Sequence, residues 1–66
     1  MINEITDKIA IELTKNIIKP DETIAGYGFL GVDAVFVELD NDKGMIKTLV
    51  FNRVEVEHAR IMTGEK

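Results

Sequence analysis

The tetrapeptide Asn41-Asp42-Lys43-Gly44 separates two runs rich in β-branched and aromatic residues, Val32–Leu39 and Met45–Phe51. Apolar strands joined by a short polar turn ending in glycine are the pattern of a β-hairpin. A type I turn with glycine in the left-handed position, closing as a bulge, fits these four residues. It sets Asn41 opposite Met45, Val37 opposite Leu49 and Val35 opposite Phe51. One side of the ribbon then carries Val35, Val37, Leu49 and Phe51, with Leu39 and Lys47 at the tip. The other carries Ala34, Phe36, Glu38, Ile46, Thr48 and Val50. A two-residue turn at Asp42-Lys43 would place Val37 against Thr48 and spoil the apolar match, because a one-residue slip sends side chains to the opposite face. The first side is predicted to take a helix. The second, half apolar and half polar, is predicted to be a contact surface or to be covered by the chain's own tail.

Residues 1–19 supply the helix. Ile2, Ile5, Ile9, Leu13 and Ile17 recur at spacings of three and four and share one face. Asn3 is placed as N-cap, Pro20 ends the run, and Glu12 is in reach of Lys15 or Lys8. Ile11 and Ile18 lie on a separate stripe, so this helix is expected either to nestle in a groove of the fold, touched on two sides, or to pack on its own sheet and also on a partner.

Pro20-Asp21-Glu22 reads as a turn into an extended segment containing Gly26-Tyr27-Gly28-Phe29-Leu30-Gly31. The spacing G-x-G-x-x-G is that of a dinucleotide cradle, which needs a strand before it and a helix after it. A β-rich run follows here instead. Gly26-Tyr27-Gly28-Phe29-Leu30 also resembles the central motif of the RNA recognition motif family, whose aromatics stack on bases. That resemblance implies a helix beginning near Asp33-Ala34 and a last strand at Val54-Glu55-Val56. Ala25 and Val32 stand where the family has a basic and an aromatic residue, and 25 residues precede the motif. The reading from the residues themselves is a bulge or bend that leads into the sheet, with Tyr27 and Phe29 on one face.

The segment after Asn52-Arg53 alternates Val54 and Val56 with Arg53, Glu55 and Glu57, as a half-exposed strand would. A helix over 50–62 is the alternative, with Val50, Val54, His58 and Ile61 on a shared stripe. Residues 63–66 are expected to be a frayed tail. His58 is the only histidine and there is no serine or cysteine, so no nucleophile, thiolate or histidine cage is expected, and neither metal nor cofactor. An EF-hand loop begun at Asp40 fails, because Met45 and Phe51 fill the positions that require glycine and glutamate.

A chain of 66 residues makes one domain that buries only about 60% of the surface its unfolded form exposes. Folds this small usually need a disulfide, a metal or a partner subunit, and the first two are missing here. The predicted class is therefore α+β, a single domain over 1–66, with one N-terminal helix packed on an antiparallel sheet of three or four strands over 22–62. Twelve acidic against eight basic residues, net −4, disfavour a phosphate backbone as partner. No apolar run approaches the roughly 18 residues of a membrane span. The first twenty residues are too charged for a secretion signal, so a cytoplasmic protein is expected. Its size and its isoleucine, lysine and asparagine content suggest a bacterial or phage source. The function that remains is a small acidic, non-enzymatic interaction module, an adaptor, regulator or inhibitor that binds another protein and self-associates. Its predicted contact residues are Ile11, Ile18, Tyr27, Phe29, Phe36, Ile46 and Val50. The alternative is a single-stranded nucleic-acid binder stacking bases on Tyr27 and Phe29.

Overall fold

The computed structural model describes residues 4–64. Helix α1 (Asp7–Thr14) leads to three strands, β1 (Glu22–Phe29), β2 (Ala34–Asn41) and β3 (Ile46–Asn52), and a second helix, α2 (Arg53–Thr63), closes the fold. The strands form an antiparallel meander in the order β1-β2-β3. The α+β class, the leading helix and the antiparallel sheet agree with the sequence reading, and the second helix is an addition to it. Both helices lie on one side of the sheet, side by side, with α2 over β2 and β3 and α1 towards β1. A shortest Cα dimension of 14 Å leaves room for one helical layer and one sheet layer.

The hairpin has the expected register: Val35 faces Phe51, Val37 faces Leu49 and Leu39 faces Lys47. Asn41 organises the turn. Its side-chain oxygen accepts from the backbone N–H of Lys43 at 2.9 Å and of Met45 at 3.0 Å. Its carbonyl accepts from Gly44 at 3.1 Å. Gly44 has φ of 75°, a conformation that glycine adopts at no steric cost. Val35, Val37 and Leu39 are fully buried beneath the helices with Ile9, Ala10, Phe51, Val56 and Ala59.

Helix α1 is shorter than the predicted 1–19. Thr6 is its cap, accepting from the Ile9 N–H at 3.4 Å, while Asn3 lies outside the described residues. The last turn ends at Thr14, whose buried hydroxyl donates back to the Ala10 carbonyl at 2.9 Å, a local bond that competes with helix propagation. Its carbonyl accepts from both Ile17 and Ile18, and the chain turns away. The turn into β1 is closed by Glu22, whose carboxylate accepts from the Lys19 N–H at 2.8 Å and pairs with Lys47 at 3.0 Å. These two contacts, the backbone one first, hold the Glu22 carboxyl below its ordinary range.

The largest departure is at 53–63, where the strand reading gives way to α2. Asn52 accepts from the Glu55 N–H and Glu55 accepts from the Asn52 N–H, each at 2.9 Å. This reciprocal capping box satisfies two backbone donors at the start of the helix. Gly64, with φ of 75°, ends it by donating to the carbonyls of Arg60 and Ile61. The inward stripe is Val56 and Ala59, not the Val54–Ile61 stripe of the helical alternative; Val54 is 72% exposed. Arg60 ties α2 to the segment that leads into α1, donating to the Glu4 carbonyl at 2.7 Å.

Candidate binding faces

The face of the sheet opposite the helices carries Ala34, Phe36, Glu38 and Asp40 from β2, and Ile46, Thr48 and Val50 from β3. Among the described residues nothing covers it, because the segment that could have folded over it became α2 on the other side. Ile46 is 62% and Val50 57% exposed. Phe36 and Glu38 are half-buried for a different reason. Their neighbours on β1 are Gly28 and Gly26, and both side chains lean over these glycines. A Cβ on Gly28 would lie 2.9 Å from the Phe36 ring, and one on Gly26 would lie 3.4 Å from Glu38 Oε1. The far edge of the ring thus fills the space where a side chain at 28 would begin.

The electrostatics of this face are one-sided. Glu38 and Asp40 sit among the apolar groups, and one oxygen of Asp40 is buried without a hydrogen-bond partner. The one basic residue of the three strands, Lys47, is on the helix side and is already paired with Glu22. Neither acid is among the contact residues predicted from the sequence. The signal was available in the register, since Asp40 pairs with Ile46 and alternation puts it on the face of Phe36 and Glu38.

The other predicted contact residues scatter. Ile18 turns inward after α1 ends and packs on the core. Tyr27 and Phe29 share the helix side of β1, across from Val37 and Val35. Tyr27 packs on the core and donates its hydroxyl to Asp7, whereas Phe29 stays 48% exposed. The segment at Asp33-Ala34 enters strand β2 and Val54-Glu55-Val56 is helical, so the element order implied by the RNA recognition motif resemblance is not present.

The Tyr27–Asp7 bond raises the phenol above its ordinary value, with desolvation and the Asp7 charge adding to it. A proton held more tightly in the folded state stabilises below the unfolded phenol value of about 10. That contribution is lost as pH rises through the folded value. Tyr27→Phe should therefore flatten the alkaline end of the stability profile, measured as urea midpoint against pH. With one tyrosine and no tryptophan in the chain, phenolate absorbance follows the same event directly.

Two grooves flank the helices. One of about 400 Å³ lies between the end of α1 and α2, with Leu13, Ile17, Phe51 and Met62 in its wall and His58 at its rim. Three of its polar residues are committed locally: Lys15 pairs with Glu12 at 2.6 Å, and Glu55 serves the capping box. The second, about 330 Å³, lies between α1 and β1 and is lined by Asp7, Ala10, Ile11, Ile24 and Tyr27. Ile11 is 58% exposed at this groove. Among the described residues no group of three or more histidine, cysteine or acidic side chains could hold a metal ion, and no helix is long and apolar enough to cross a membrane. No family model, no curated protein and no solved structure matches the chain.

Proposed function

We propose that this chain is a small non-enzymatic binding module whose open sheet face holds a segment of another protein. The observation that carries the reading is the uncovered surface formed by Phe36, Ile46 and Val50 around Glu38 and Asp40. Exposed apolar groups on a continuous face favour association, because covering them releases hydration water. The two carboxylates, with no base among the described strand residues of that face to answer them, select a partner that brings one. The occupant is a segment with a lysine or arginine between apolar residues, its cation reaching the Glu38–Asp40 pair. The Tyr27–Asp7 hydrogen bond and the acidity of the face weigh against base stacking as the alternative.

A photo-crosslinking amino acid at position 50 tests this in cells of the source. Adducts to a second protein are expected from position 50, lost when Glu38→Arg is added, and absent when the reporter stands at position 54 on the outer side of α2. Adducts that survive Glu38→Arg, equal adducts from position 54, only self-adducts, or none at all would each overturn the proposal.

A further inference from the structure

The outer edge of β1 is a second surface, distinct from the open sheet face. Among the described residues β1 pairs only with β2. Leu30 donates its N–H to the Ala34 carbonyl at 2.9 Å. Backbone groups of an antiparallel strand alternate in direction, so Gly28 also turns its groups to β2. Tyr27 and Phe29 turn theirs outward. Natural edges are normally guarded by charge or proline, yet no charged residue and no proline occurs from Thr23 to Val32. The register shift between Ile24 and Gly26 interrupts the edge at its start and leaves the stretch 26–29 regular. The opposite edge, on β3, carries Lys47.

We propose that a second copy of this chain pairs antiparallel along this edge, β1 to β1, across a two-fold axis. Charge selects the place. Two copies at net −4 repel, and the strand from Thr23 to Phe29 brings no charge to the contact; the one acid among the described residues lining the adjoining groove, Asp7, accepts from the Tyr27 hydroxyl of its own chain. Shape selects the occupant. The groove between α1 and β1 opens beside this edge, and the exposed Ile11 is the side chain that would fill its symmetry mate. Knob and groove belong to the same patch, as a two-fold interface requires. The sheet becomes six-stranded, the two α1 helices flank the axis, and both open faces stay free. This inference stands apart from the open-face reading and fails or holds separately.

Light scattering and sedimentation at tens of micromolar test it. The protein should weigh twice 7.4 kDa. Phe29→Pro removes an outward N–H without touching the β1–β2 ladder, and Ile11→Glu places a charge at an exposed site. Both should return the mass to 7.4 kDa with unchanged circular dichroism, while Val50→Glu should remain dimeric. A monomeric wild-type protein, a dimer that survives either edge variant, or one that dissolves with Val50→Glu would overturn the proposal. Should Phe29→Pro lose its fold, Ile11→Glu decides alone.

Discussion

Val56→Asp should unfold the protein, and Val54→Asp, two residues earlier, should leave it folded. Val56 is fully buried in the core and Val54 is 72% exposed. The buried cluster that Val56 belongs to is aliphatic and aromatic and offers a carboxylate no hydrogen-bond donor from its side chains. A buried charge without a partner costs several kcal/mol. Total stability for 66 residues is roughly 3–10 kcal/mol, so the first substitution removes most or all of it. The second puts an acid in the first turn of α2, where the helix dipole favours it, and surface changes of this kind stay within about 0.5 kcal/mol. Far-ultraviolet circular dichroism and urea titration of both variants make the comparison. In a strand the two valines would share a face and respond alike, so equal behaviour would refute the helical placement.

Ile9→Ala should cost about 2–5 kcal/mol, as large-to-small changes in a packed core do. The reason lies in the shortness of α1. Eight residues are below the length at which a helix holds itself in water, so docking must hold it. Ile9 and Ala10 are its fully buried apolar side chains. Ile9→Val should cost about 0.5–1.5 kcal/mol. Ile11→Ala, at the exposed flank, should stay within about 0.5 kcal/mol. Urea unfolding with a common slope would give the three values. A loss below about 1 kcal/mol for Ile9→Ala would show that α1 contributes little to the native state.

These two tests bracket what could be read from the chain beforehand. The hairpin was legible because one turn specifies register: once Gly44 closes the bulge, every pairing from Asp40–Ile46 to Ala34–Asn52 follows. Helix α2 was not legible from periodicity, because Val54 and Val56 with charges between them suit a strand of period two. The sign was at the ends. Asn52 and Glu55 have the spacing of a capping box, and Gly64 stands where a helix stops. The early end of α1 was hidden for a similar reason, since the apolar spacing runs on past Thr14 while the chain does not. Phe36, Ile46 and Val50 could be found on one face from the register alone. Glu38 and Asp40 complete that face chemically and were reachable by the same alternation. Tyr27 could be set on one face with Phe29, but which side of the sheet that face takes, and the bond to Asp7, depend on where α1 lies above β1.

The Phe36 ring resting on Gly28 has an evolutionary corollary. Any side chain at 28 must displace the far edge of the ring, so a change at one position alters the relief of the surface built by the other. Positions 28 and 36 therefore behave as one heritable character. Across descendants of this chain, a residue gained at 28 should come with a smaller one at 36, and a lineage in which the two drift independently would be one that no longer uses the face.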